Sequence, residues 1–206
     1  YYQADSEVIF PPFDIHYWNK LKSNLSSYNF KDKFYNLSKK YYLIVSRMEP
    51  YKRIDLVINA FNQQSDKQLV IVGDGSKKTN LKKIAKANVV FLEGITDEHL
   101  AMLYSNAQAL IMPQEEEFGY VALEAQLFLC PVLAYKKGGA LETIIEGNSG
   151  LFFASQSVED LVGTIAKFEK LSYTLKHYLK ENGGKHLEKF NKKIFKDKIL
   201  KIVQDK

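Results

Sequence analysis

A chain of 206 residues, 46% of them hydrophobic, can bury one substantial core and reads as one domain with a tail. Its net charge of +5 comes from lysines spread along the whole sequence without an aromatic-interleaved basic motif, so nucleic acid is not the expected partner. One cysteine, Cys130 in an apolar run, excludes an internal disulfide framework and a thiolate metal site, and no apolar run approaches the roughly 18 residues of a membrane-spanning helix.

Residues 1–40 read as a lead-in segment and linker: Glu7–Phe10 is strand-like, Pro11-Pro12 is rigid, and a polar, aromatic stretch without clean periodicity follows. From Tyr41 strands and helices alternate. Strands are expected at Tyr41–Ser46, Gln68–Val72, Val89–Leu92, Ala109–Met112, Pro131–Ala134 and Gly150–Phe153. Between them helices are expected at Ile54–Asn62, Thr79–Ala87, Asp97–Ser105, Tyr120–Leu129 and, more loosely, Leu141–Ile145. Short, almost continuously apolar strands alternating with helices imply an α/β fold, a Rossmann-like doubly wound parallel sheet covered on both faces. Ligands of such sheets sit at the carboxyl ends of the strands. The tail from Ser157 is helical, with Gly183-Gly184 expected to break it before a last helix, Lys185–Gln204.

The chemistry-bearing residues all follow strands. In SRMEPYKRID, Arg47 and Lys52 flank one loop, and Arg47 and Arg53 are the only arginines in a lysine-rich chain. A guanidinium fork and an ammonium at such a loop can neutralise the oxygens of a departing nucleoside diphosphate without a metal. VIVGDG places Gly73 in a tight turn after a strand; the third glycine of a dinucleotide fingerprint is missing, so an NAD site is not expected. In LEGITDEHL, Asp97 reads as a helix cap preceded by Ile95 in the loop. QEEEFGYVALEAQ sets Glu116 in a loop and Glu124 one turn into a helix, with Gly119 between them letting backbone come close to a ligand. The free N–H groups of Gly119, Tyr120 and Val121 at the helix start favour an anion, with Phe118 in the same turn. The Gly138-Gly139 loop either cradles an anion or sugar or simply turns the chain. The four histidines, His16, His99, His177 and His186, lack metal-ligand spacing, and no metal or other cofactor is expected.

These motifs resemble the retaining glycosyltransferases built from two facing Rossmann-like domains, the GT-B group 1 or family 4 enzymes that include mannosyl- and glucosyltransferases of bacterial polysaccharide and lipopolysaccharide assembly. The resemblance rests on E-x7-E at Glu116 and Glu124, R-x4-K at Arg47 and Lys52, the V-G-D-G run at Gly73, and Val8-Ile9-Phe10-Pro11-Pro12-Phe13-Asp14, which matches the run that follows the linker from an acceptor domain. Glu117 departs mildly, since many members carry Gly or Asp there. The resemblance implies that residues 41–182 are the donor-binding, C-terminal half of such an enzyme, with 183–206 docking on the other half or touching an anionic membrane. It further implies that Glu124 holds the ribose, Glu116 lies beside the transferred sugar, and the loop of Ile95 faces the base. The implied reaction is transfer of a hexose, mannose from GDP-mannose, to a glycan or lipid-linked acceptor presented by an N-terminal domain. Any catalytic histidine would come from that domain, so this chain alone is expected to bind nucleotide and barely transfer sugar. The implied location is the cytoplasm, with peripheral attachment to the inner face of the membrane. The rival is a non-catalytic nucleotide-binding or regulatory module of the same fold.

Overall fold

The computed structural model describes residues 7–27, 37 and 40–204. The other residues of the expected lead-in lie outside the described ones. Six strands form one parallel sheet: β1 (Tyr41–Val45), β2 (Gln68–Val72), β3 (Val89–Leu92), β4 (Leu110–Met112), β5 (Val132–Tyr135) and β6 (Gly150–Phe153), in the order β3-β2-β1-β4-β5-β6. Each neighbouring pair is parallel. The α-helices among the described residues are α1 (Ile15–Ser23), α2 (Ile54–Asn62), α3 (Lys78–Ile84), α4 (Asp97–Asn106), α5 (Tyr120–Leu127), α6 (Ala140–Thr143), α7 (Val158–Glu188) and α8 (Lys192–Gln204), with short 3-10 turns at Leu25–Ser27 and Pro50–Lys52.

The strands are apolar on both faces because the sheet is covered on both. Leu43, Val70, Leu110 and Val132 join Phe13, Trp18, Leu103, Leu123 and Phe128 in one layer under α1, α4 and α5. Ile44, Ile71, Ile111 and Leu133 alternate to the opposite layer, with Val57, Phe61, Leu161 and Phe168 of α2 and α7. Burial of apolar surface on both faces, worth about 25 cal/mol per Å², is what holds the two helix layers on the sheet.

Three local features differ from the sequence expectation. The aromatic stretch after Pro12 contains α1, capped by the Asp14 side chain accepting from Tyr17 N (3.0 Å) and burying Ile15, Trp18 and Leu21 on one face. Glu7–Phe10 joins no strand; instead the Phe10 ring stacks on Phe118 (6.3 Å) and meets Phe190 edge-on (5.2 Å). Gly183-Gly184 breaks nothing, since α7 runs through both glycines to Glu188. The helix penalty of a glycine, about 1 kcal/mol, is outweighed by burial of Leu179, His186 and Leu187 around it. The chain turns only at Lys189–Asn191, where Phe13 N donates to Phe190 O (2.7 Å) and Lys193 N to Asn191 Oδ1 (2.8 Å).

A Cβ at Gly184 would meet nothing within 4 Å, whereas one at Gly139 would lie 2.4 Å from Glu117 O and from Phe118 Cα. Thermal denaturation of Gly184→Ala is expected to show a gain of about 0.5–1 kcal/mol, and Gly139→Ala a loss of several kcal/mol. Equal effects at the two positions would contradict this packing.

Candidate functional site

The strand order places a switch point between β1 and β4. From β1 the chain leaves toward β2 and β3; from β4 it leaves toward β5 and β6, so the connections at the two carboxyl ends diverge and open a crevice. The β1 connection carries Arg47 and Lys52, and the β4 connection carries Glu116.

Each connection is pinned by a glycine-bearing neighbour. Ser46 N and Met48 N donate to Val72 O (3.1 Å) and Asp74 O (2.8 Å), while Glu49 accepts from Ser76 N (3.0 Å) and Ser76 Oγ (2.7 Å). This approach is open only to glycine: a Cβ on Gly73 would sit 2.0 Å from Ser46 O, and one on Gly75 2.7 Å from Met48 N. On the other side Gly139 N donates to Glu116 O (2.6 Å), and a Cβ on Gly138 would lie 2.4 Å from the same oxygen. The contacts of Gly73 and of Gly138-Gly139 in the structure are thus backbone clamps on the two connections.

Between them lies a cleft of about 370 Å³ lined by Arg47, Lys52, Glu116 and the run Phe118, Gly119, Tyr120 and Val121, with Val45, Ser46 and Glu117. Lys52 Nζ lies 2.7 Å from Glu116 Oε2, with side-chain exposures of 11% and 21%, so the pair bridges the crevice largely out of bulk water. Gln114 Nε2 donates to the same oxygen (2.6 Å). Arg47 Nη2 donates to Tyr51 OH (2.8 Å), which ties the guanidinium to its own loop. Gly119 adopts φ +88 and starts α5 with no side-chain cap, leaving first-turn amides to be satisfied by a ligand or solvent.

Seven of the ten residues singled out from the sequence line this cleft; Gly73, Ile95 and Glu124 do not. Ile95 is half-buried against the core. The cap of α4 is Thr96, whose side chain accepts from His99 N (3.4 Å), and not Asp97, which is the first helical residue. Glu124 sits one turn behind Tyr120, where Tyr104 OH donates to its Oε2 (2.8 Å). Burial, and secondarily the charge of Asp97, push the Glu124 carboxyl up to about 7 against the lowering effect of that hydrogen bond. Sequence reasoning missed Gln114, Tyr51 and Tyr104; the amide immediately before the acidic run was the one available signal for Gln114. Among the described residues no group of three or more His, Cys, Asp and Glu is placed to hold a metal ion, and no helix is long and apolar enough to cross a membrane.

The sequence pattern of glycosyl transferases group 1 matches residues 28–186, most of the chain. This chain belongs to that family. It is similar to the sulfoquinovosyl transferase of Arabidopsis thaliana, 30% identical over 123 residues, covering 57% of this chain and 24% of that protein. The α-1,3/1,6-mannosyltransferase of Schizosaccharomyces pombe is 34% identical over 105 residues, covering 50% of this chain and 20% of its own. The chain therefore spans about a quarter of the length of these relatives. The structure of Anabaena HepE in complex with UDP-glucose superposes with a TM-score of 0.78 at 21% identity, covering 97% of this chain and 57% of that one. The shared architecture is the Rossmann-like parallel sheet of GT-B glycosyltransferases.

Because the Glu124 carboxyl titrates higher folded than unfolded, the folded state holds its proton more tightly, and the stability this contributes is complete below about pH 4.5 and lost as pH rises through about 7. Glu124→Gln is expected to match the parent near pH 5 and to melt several degrees higher at pH 8. A constant difference across that range, followed by thermal melts, would contradict the burial cost.

Proposed function

We propose that this chain is the donor-binding, C-terminal half of a retaining GT-B glycosyltransferase that takes a hexose from a nucleoside diphosphate sugar, mannose from GDP-mannose, to a bacterial surface glycan or lipid-linked acceptor. The observation that carries the reading is the Lys52–Glu116 pair across the β1/β4 crevice, beside Arg47 and the uncapped start of α5. It sets a cation for a pyrophosphate and a carboxylate for sugar hydroxyls within one cleft.

In this reading Arg47, Lys52 and the amides of Gly119, Tyr120 and Val121 receive the diphosphate, and the two cations neutralise charge that develops on the leaving oxygens, with no metal required. The hexose lies toward Glu116, whose second partner, Gln114, keeps the carboxylate in place when Lys52 turns to the phosphates. The ribose reaches Glu124 behind Tyr120, and Ile95 borders the base. The sugar leaves on the same face that the acceptor enters, through an oxocarbenium-like state, and the departing phosphate takes the acceptor's proton. A glycosidase-style pair of acid and nucleophile carboxylates is not needed. The acceptor is presented by an N-terminal domain, and the enzyme works in the cytoplasm, at the inner face of the membrane.

Calorimetric titration with GDP, UDP and ADP and their hexose derivatives is expected to give tightest binding with GDP-mannose. Arg47→Ala and Lys52→Ala are each expected to weaken the diphosphate about tenfold to a hundredfold, about 1.4–2.8 kcal/mol. In an enzyme carrying both halves, Glu116→Ala is expected to abolish transfer while leaving diphosphate affinity nearly intact. Unchanged transfer in that variant would favour a non-catalytic binding module.

A further inference from the structure

Tyr104 is wholly buried on α4, yet its hydroxyl is spent on one acceptor, Glu124 Oε2 at 2.8 Å. The ring is fixed on both sides, stacked on Phe128 (centroids 6.0 Å, 16°) and edge-on to Trp18 of α1 (6.4 Å, 70°). Burial and the facing carboxylate hold the phenol protonated, well above its ordinary range, so it acts here only as a donor. Glu124 Oε1 accepts no hydrogen bond among the described residues, and no cation there pairs with either oxygen. The other charged group that acts on this carboxyl is Asp97 at the start of α4, whose Oδ2 accepts from Tyr17 OH of α1 (2.5 Å). Cys130, buried beside Tyr104, stays a neutral thiol, pushed up to about 12 by burial.

Glu116 and Glu124 thus live in opposite surroundings although one motif supplies both. Glu116 has an ammonium at 2.7 Å. Glu124 has a phenol at 2.8 Å, no cation among the described residues, and Asp97 as the other charge that acts on it. Resting on the donor-binding reading, we propose that Tyr104 is a positioning residue for the donor: its hydroxyl fixes Oε2, leaving Oε1 to take ligand hydroxyls, and donor uptake drives the proton off this carboxyl group into solvent. The physical reason is that vicinal hydroxyls donating to the carboxyl stabilise its ionised form alone, in a place where the Tyr104 bond is the one interaction that already does so. The proton balance is simple: a neutral acid and a ligand become a carboxylate complex and one released proton.

The test is calorimetry of a nucleoside diphosphate sugar, GDP-mannose or UDP-glucose, from about pH 5.5 to 8.5 in buffers of different ionisation enthalpy; the phosphates of these ligands stay ionised throughout. The parent chain is expected to release close to one proton near pH 6 and almost none at pH 8.5, with affinity falling about tenfold per pH unit below the break. Glu124→Gln is expected to abolish the release. Tyr104→Phe keeps the ring, and is expected to move the break to higher pH and weaken binding several-fold at pH 7 while converging on the parent at pH 8.5. A uniform loss of affinity in Tyr104→Phe with an unmoved break, or release that persists in Glu124→Gln, would overturn the proposal and leave the donor site standing. Failure of the parent to bind any nucleotide sugar would remove the donor site and this proposal together.

Discussion

The contact between Lys52 and Glu116 depends on two loops that leave adjacent strands in opposite directions, and four glycines let neighbouring backbone hold those loops. Gly73 and Gly75 let the connection after β2 lie on Ser46–Met48, and Gly138 and Gly139 let the connection after β5 lie on Glu116–Phe118. A side chain at any of these positions would push a loop away and separate the pair. The ion pair itself contributes modestly, since charges removed from water lose most of what they gain from each other. Its importance is positional: a partly buried ammonium is kept inside the cleft between the two halves of the sheet.

The cleft is also asymmetric in charge. Toward β1 it offers a guanidinium and an ammonium, and toward β4 the carboxylates of Glu116 and Glu117 and the open start of a helix, with the Gln114 amide buried behind Glu116. An elongated ligand with an anionic middle and hydroxylated ends matches that sequence of groups better than a uniformly charged or apolar one. Behind the wall, Glu124 is placed where burial opposes its ionisation, so the two acids of one motif differ in what a ligand must supply to each.

Much of this was legible in the sequence because the periodic signals are strong. Short apolar runs such as Tyr41–Val45 and Gln68–Val72, alternating with helical segments, read as doubly covered strands, and Arg47, Lys52 and Glu116 stand past strand ends, where parallel sheets place ligands. What failed to show had physical causes. Helix α1 buries only Ile15, Trp18 and Leu21, too short a pattern to stand out among tyrosines and asparagines, and the Asp14 cap was its one marker. Gly183-Gly184 read as a break because propensity is local, whereas the burial that carries α7 through is tertiary. The glycines of the Gly73 and Gly138 turns signalled close approach, but a sequence does not say whether backbone or ligand approaches. Tyr104 and Gln114 matter through partners twenty and two residues away, and spacing alone does not report a hydrogen bond.

In the proposed function the β1/β4 crevice receives a pyrophosphate between Arg47, Lys52 and the start of α5. The most direct measurement is a crystal structure of the chain with a nucleoside diphosphate bound. Both phosphates are expected within hydrogen-bond distance of Lys52 Nζ and the amides of residues 119–121, with Lys52 drawn from Glu116 toward the ligand. A diphosphate bound elsewhere on the surface, with the Lys52–Glu116 contact untouched, would contradict it.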